Sequence, residues 1–431
     1  MALKEMVKYT IGKETIPGVP VGRTAVLPIR DIGSLDRTIT KKEDPLIVGL
    51  GMASGEYAVA GDVKGSIPLS PRGCTGFGHV LKGVFGTEDT PVEIVGAIRV
   101  KYRGNAESCK LIASLSSKTI ASKVGDLGSE LDDVSFGSNG VIDLTAVDTL
   151  QELVDAINAG NYEAALVTGI GTTSVVSVVS GIFQARGKYA FLFFTGTGSG
   201  VFLHRYTPDL SLDSERPTYS IQKDGIGDNY LYDGVVFNNL SLSGEQKGDI
   251  EADVDVLGMK ETSGVSASVL VMPHMRPYKF GGGFTSLAGT RYSQVRKHSL
   301  KVENNHIEDG YGQADESLDR TYHQRGKFAI SGDLTVRLDG TSIKERPKAE
   351  TGEHVAVQFL YYEVERRFNF GVRGLMLIEI PYAELSETPS IEANGDVLDM
   401  GIKFKGFKPA YATDYEPPVV VSILTADANA Y

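Results

Sequence analysis

The sequence predicts a mainly β protein built from two tandem β units, the first interrupted by an inserted α+β segment. Three observations carry this. Most segments alternate polar and apolar residues over about five to eight positions and stop at Gly, Asp, Asn or Pro, the signature of half-buried strands and turns. A nine-residue phrase is written twice, "GEYAVAGDV" from Gly55 and "GKFAISGDL" from Gly326, with a Gly, a charge, an aromatic, Ala, a β-branched residue, a small residue, Gly, Asp and an aliphatic in the same order. Residues 94–200 break the β pattern with a strong amphipathic helix. The expected units are therefore 1–93 with 201–260, an inserted α+β domain at 94–200, and a second unit at 261–431.

Taken in order, "GEYAVAGDVKGSIPLS" reads as a strand. In "PRGCTGFGHVLKGVFG", Phe77, Leu81, Val84 and Phe85 share one helical face, with Thr75 expected as N-cap and Gly86 as the stop. "AIRVKYRG", "CKLIASL" and "KTIASKV" are short strands. "LTAVDTLQELVDAINAG" is the clearest helix. Thr145 is expected to cap it with Asp148 reaching back, Leu150, Leu153, Val154 and Ile157 form its apolar stripe, and Gly160 ends it. "AALVTG", "TSVVSVVSGIF" and "KYAFLFF" follow as strands. Beyond residue 201 the β pattern resumes. A strand ending "NNLSLSG", a turn and "DIEADVDVLG" follow the first phrase; a strand ending "PYAELSE", a turn and "GDVLDMGIKFKG" follow the second. The shared order of elements is what an internal duplication leaves behind.

The totals narrow the function classes. The chain has 431 residues, 41% hydrophobic, with a formal net charge of −12. An acidic surface is unsuited to gripping nucleic acid, which needs clustered Lys and Arg, but not to letting it slide past. Cys74 and Cys109 alone make neither a disulfide framework nor a zinc site and are expected as buried apolar residues. No secretory signal and no apolar run of membrane-spanning length is visible, so the expectation is a chain made in a cytoplasm. "TGTGSG" at Thr195–Gly200, "GIGTTS" from Gly169 and the triple glycine Gly281–Gly283 are flanked by strands, whereas a phosphate loop needs a following helix. His79, His204, His274, His298, His306, His323 and His354 show no metal-ligand spacing, and no nucleophile elbow or paired-carboxylate setting stands out. No enzyme, cofactor or metal is expected; a hydrolase with a site assembled from distant segments is the dissenting reading.

"DIEADVDV" is more informative. Asp249, Glu251, Asp253 and Asp255 alternate with Ile250, Ala252, Val254 and Val256, so a strand here carries four carboxylates on one face. A calcium loop needs a sharp Gly turn that a strand lacks. The plain reading is a solvated sheet face.

The residues resemble the tail tube (major tail) proteins of long-tailed prokaryotic viruses, the siphovirus bacteriophages, in the larger type with a duplicated tube fold. The opening "YTIGKETIPGVPVGRTAVLPI" is similar to that family's G-x-E-x-x-x-G start. "GDVKGSIPLSPRGCTGFGHVLKGVFG" is similar to its Gly-bounded strand, short helix and L-x-x-x-F-G. "RPTYSIQKD…YDGVVFNNLSLSGEQKGDIEADVDVLG", "RGKFAISGDLTVRL" and "MLIEIPYAELSE" match its later strands. Residues 94–200 depart from that pattern; "IRVKYRGNAESCKLIASL" with the helix ending "INA" resembles a subdomain of contractile-tail sheath proteins, from which no function is carried over.

The resemblance implies two tail-tube-like β-sandwich or barrel units forming part of a ring, with three copies giving a pseudo-sixfold homotrimer. Rings stack into a hollow virion tail through which double-stranded DNA passes at ejection. The implied partners are further copies of the chain, the tape measure, the tail terminator and the distal tail protein, with no membrane. Within that frame Asp249, Glu251, Asp253 and Asp255 become the candidate lumen-facing acidic strand. The corresponding second-unit stretch offers Asp399 but also Lys403 and Lys405, so a lumen ring alternates in charge or takes its acid from one half. The insert is expected outward-facing, and "MALKEMVK" and the Asn304–Gln324 loop are expected to order on assembly. The alternative is a tandem β-sandwich virion or cell-surface adhesin whose insert binds a receptor or glycan.

Overall fold

A computed structural model of the chain describes residues 7–43, 55–175, 177–211, 216–225, 227–273, 275–308, 310–311, 318–338, 354–387, 389–394, 397–408 and 417–431. The first six residues, His274, and residues 309 and 312–317 of the Asn304–Gln324 loop lie outside these. The chain is mainly β, with two α-helices among the described residues and large antiparallel sheets.

The first stretch holds β1 (Lys8–Lys13), β2 (Ala25–Val26), β3 (Asp36–Glu43), β4 (Glu56–Leu69), α1 (Thr75–Phe85) and β5 (Gly86–Glu88). The middle holds β6 (Val92–Tyr102), β7 (Ser108–Ser114), β8 (Thr119–Gly125), β9 (Leu131–Asp132), β10 (Val141–Asp143), α2 (Leu150–Asn158), β11 (Tyr162–Thr168), β12 (Ser177–Val178), β13 (Gly181–Gln184) and β14 (Ala190–Thr195). Then come β15 (Phe202–Pro208), β16 (Tyr219–Asp224), β17 (Asn229–Glu245), β18 (Glu251–Gly258) and β19 (Lys260–Ser263). The last stretch holds β20 (Tyr278–Leu287), β21 (Thr290–Tyr292), β22 (Val295–Glu303), β23 (Ala329–Arg337), β24 (Val355–Arg367), β25 (Arg373–Leu385), β26 (Ser390–Asn394), β27 (Val397–Gly406) and β28 (Val420–Thr425).

The order of pairings runs twice. One array reads β3–β4–β18–β17, backed by β2–β1–β16–β17–β19. The other reads β22–β23–β27 and then β25 with β26, backed by β21–β20–β24–β25–β28. The two nine-residue phrases fall at matching places, on β4 and β23: Asp62 sits opposite Thr38, and Asp333 opposite Ser299. β17 and β25 each pass from the backing sheet into the array. In β17 the corner is Gly234 at φ 63°, followed by a bulge between Phe237 and Asn239, the usual way a strand changes sheets. The arrays meet edge to edge where Asn239–Glu245 of β17 pairs with Glu303–Lys297 of β22. One hydrophobic core runs beneath both, with Val254, Leu240, Leu300, Leu334, Ile402 and Phe404 among its members.

α1 is buried on almost every side rather than along one face. Three glycines let other groups reach its backbone. A Cβ at Gly76 would lie 2.1 Å from the Val26 carbonyl oxygen, and one at Gly83 2.1 Å from the Phe237 ring. One at Gly78 would lie 2.0 Å from the Tyr431 ring. Thr75 is not the cap: Cys74 holds that position without a side-chain bond, and the Thr75 hydroxyl donates to Asp427 at 2.9 Å. Gly86 does stop the helix, at φ 91°.

The middle stretch has its own core. The sheet β11–β6–β14–β12 and the sheet β10–β8–β7–β13 enclose Ile98, Val100, Leu111, Leu192 and Phe194 together with the α2 stripe Leu150, Leu153, Val154 and Ile157. Burying each stripe residue favours the fold by about 1.5–3 kcal/mol. The α2 cap differs from the sequence reading. Thr149 caps it, its hydroxyl accepting from Glu152 N at 3.3 Å, while the Glu152 carboxylate accepts from Asp148 N at 2.9 Å. Thr145 belongs to a preceding 3-10 turn capped by Asp143. The boundary expected at residue 94 falls inside β6, whose first residues pair with β15. The apolar run of β14 is explained by burial on both faces. Leu192 and Phe194 enter the local core, while Phe191 and Phe193 pack with Phe284, Leu360, Leu375 and Leu377 of the last stretch.

Candidate functional site: the polar sheet face and its edges

The acidic strand lies where alternation places it. Ala252, Val254 and Val256 of β18 are buried in the shared core; Glu251 is exposed, and Asp253 and Asp255 are half-buried on the other face. Asp249 is not in the strand. It sits exposed in the preceding turn, bridged through the backbone to Lys279. The sequence reading missed the cation on this face. Arg30 donates from Nη2 to both carboxylate oxygens of Asp253, at 2.8 and 2.9 Å, and its Nη1 lies 3.1 Å from Glu251 Oε2. Asp255 accepts from Asn239 Nδ2 at 3.0 Å. Arg30 arrives through the bridge between Ile29 and Leu69 at the end of β4, a contact with no local sequence signal.

The same polar face continues across both arrays. Ser241 and Ser243 of β17 stand beside Lys301 and Ser299 of β22, and Ser299 Oγ donates to Asp333 of β23 at 2.9 Å. On β27, Lys403 and Lys405 are exposed, with Lys403 2.9 Å from Glu387, while Asp399 is buried near Arg337. By pairing, Asp399 occupies the place of Asp255: Arg337 of β23 faces Asp399 as Ser66 of β4 faces Asp255. The face is therefore polar throughout and mixed in charge, most acidic at β18.

The opening motif makes a structural knot. Gly12 passes so close to another segment that a Cβ would lie 2.4 Å from the Gly22 carbonyl oxygen. Glu14, almost fully buried, accepts from Gly18 N at 2.9 Å, Ser220 Oγ at 2.8 Å and Gly234 N at 2.9 Å. Gly18 has φ 74° and Gly234 is the β17 corner. Glu14 thus ties β1 to the bend that sends β17 into the array. Burial, and then the Glu14 charge, push the neighbouring Asp233 carboxyl up to about 6.

Several further titratable side chains are buried. Desolvation holds His79 and His298 down at about 4. His306 is held at about 3 and His323 at about 4, again by burial. The His204–Glu88 pair, 2.9 Å apart, has the look of an acid–base dyad, but both side chains are fully buried and the Tyr431 ring stacks on the imidazole. Cys74 and Cys109 are buried free thiols raised to about 11 by desolvation. The Asn304–Gln324 loop is docked where it is described: Arg320 reaches Asp62 at 2.9 Å, Arg37 reaches Asp319 at 2.5 Å, and His323 Nε2 lies 2.6 Å from the Gly234 carbonyl. The loop after Gly169 turns carbonyls of Gly171 and Thr173 onto the first amides of α2, which occupies them. Gly198 and Gly200 lie in the turn between β14 and β15, where Gly200 N donates to Glu93 at 2.9 Å; Gly281–Gly283 lie within a bulged strand. No described helix is long and apolar enough to cross a membrane.

Comparison with curated proteins gives no match. A family model described as phage tail tube protein matches residues 6–401, which take in the knot, the first array, the middle stretch and the second array as far as Gly401 of β27. The chain belongs to the phage tail tube protein family, a structural component of the virion tail.

Proposed function

We propose that the chain polymerises into stacked rings, three copies to a ring with pseudo-sixfold symmetry, and that DNA passes through the channel they enclose. The two pairing series act as two tandem tube units. The observation that carries this reading is the β17–β22 junction, where one array continues into the next through ordinary strand pairing. Repeating that junction between copies joins arrays head to tail, and head-to-tail contacts close into rings when the rotation allows. Closure also pairs edges that otherwise invite aggregation. The middle stretch faces outward, since its own core fills it and its Phe191–Phe193 face is already seated. Ring and stack partners are further copies, with tape measure, terminator and distal tail proteins at the ends of the tube.

The polar face of the arrays lines the channel, with Asp249, Glu251, Asp253 and Asp255 as its most acidic part. Such a wall repels DNA only within a Debye length, about 8–10 Å, and does not retain it. The test replaces these four by Asn and Gln in assembled tails. Arg30 is then left without its carboxylates, so DNA ejection should slow at low salt and recover at high salt. Unchanged speed and salt dependence contradict the lumen assignment.

A further inference from the structure

We propose that neighbouring copies join through β26 of one and β3 of the next, in the register of the internal β17–β22 junction, with Glu392 set against Lys41 and Lys42. The inference rests on the tube reading and names its contact. Among the described residues β3 pairs only with β4, and β26 only with β27, so each presents an open edge.

Matched positions show what those edges lack. Ile39 faces Gly61 as Leu300 faces Gly332, and the two glycines share one place in the repeated phrase. Leu300, inside the internal junction, is 2% exposed; Ile39, at the open edge, is 48% exposed. On the other side Ile391 faces Met400 as Phe237 faces Val256. Phe237 is fully buried and Ile391 is 47% exposed. Both edges thus carry apolar side chains half in water: Ile39 at the place where the internal junction covers Leu300, and Ile391 at the place of Phe237, which lies just before the first pair of that junction and is covered by Tyr219 and α1. A second copy brings the two edges together, because β3 and β26 match the two halves of the internal junction.

The register follows from the same matching. Glu392 faces Asp399 as Asn239 faces Asp255. Asn239 pairs across the junction with Glu303, which faces Ala329. Ala329 holds the place of Ala58, and Ala58 faces Lys41. Glu392 therefore meets Lys41, beside Lys42. Opposite charges across a strand pair favour the contact and like charges oppose it. A head-to-tail junction with an acid on one edge and a base on the other also rejects edge pairing of β3 with β3.

The experiment uses the full chain as wild type, K41E/K42E, E392K and the triple variant, each checked for its β-sheet circular dichroism. Assembly is followed by sedimentation and electron microscopy. Each partial reversal should raise the concentration for half-maximal assembly at least tenfold, and the triple variant should return to within about threefold of wild type. Wild type that assembles alongside unaffected reversals, or a triple variant no better than its parents, overturns the junction alone. A wild type that forms no ring or tube at any concentration overturns the tube reading and the junction with it.

Discussion

Glu14→Gln is the most telling single change in the fold, because one buried carboxylate holds three donors from three segments. The amide can still accept from two of them, but its NH2 then faces the third donor. Bonds to a charged acceptor are worth about 1.5–3 kcal/mol against about 1 for neutral ones, and a buried donor left unpaired costs about 1–3. Part of that is offset, since removing the Glu14 charge relieves Asp233, whose carboxyl is held up at about 6. The expected net loss is about 2–3 kcal/mol, and Glu14→Ala should lose about 3–5. For a cooperative unit of 150–250 residues this lowers Tm by about 5–10 °C for Gln. The sequence has no Trp and 19 Tyr, so far-ultraviolet circular dichroism is the appropriate readout. A second readout is the Asp233 carboxyl, which should titrate lower in Glu14→Gln. A Tm within 1 °C of wild type, with Asp233 unmoved, would refute the knot.

Three further outcomes are expected. His79, His298, His306 and His323 are all held below their ordinary value, so the unfolded chain binds more protons and stability falls as pH drops from about 6.5 towards 4, by up to about 1.4 kcal/mol per pH unit for each group. Asp233, raised to about 6, works the other way, as do Glu261 and Glu379, whose carboxyls burial also raises; the four histidines are expected to outweigh them, and urea midpoints across this range that rise on acidification contradict that balance. Gly78→Ala should destabilise by about 1–3 kcal/mol despite a helix-propensity gain of about 1, because the new Cβ displaces the Tyr431 ring, and adding Tyr431→Ala should remove most of the difference between Gly and Ala in a thermal melt. Clean deletion of residues 94–200 should cut solubility by uncovering Leu360, Leu375 and Leu377; with those faces made polar, the remaining arrays should still assemble, and failure to do so would count against an outward-facing insert.

What was legible in the sequence was whatever depends on near neighbours. The α2 stripe, the β18 alternation and the stop at Gly86 each follow from spacing alone, and each stands in the structure. The α2 cap slipped because "LTAVDTLQE" offers two Thr residues with an acidic residue three positions on, and only the contact of the helix start with the Gly171–Thr173 loop selects Thr149. α1 looked one-sided because its other faces are closed by Gly76, Gly78 and Gly83 against distant segments. Arg30 was invisible for the same reason: its partners are more than 200 residues away. Alternation alone shows the carboxylates of the acidic face, whereas the cation that answers them stands in a loop whose own pattern says nothing of charge pairing.

The two arrays continue one sheet through the β17–β22 pairing, and the proposed ring repeats that contact between copies. End-on averaging of cryo-electron micrographs of the purified, assembled protein, with mass per ring measured on the same sample, tests this most directly. The account predicts hollow rings of three chains showing six similar segments around a channel. Solid particles, or rings whose mass does not correspond to three chains, would contradict it.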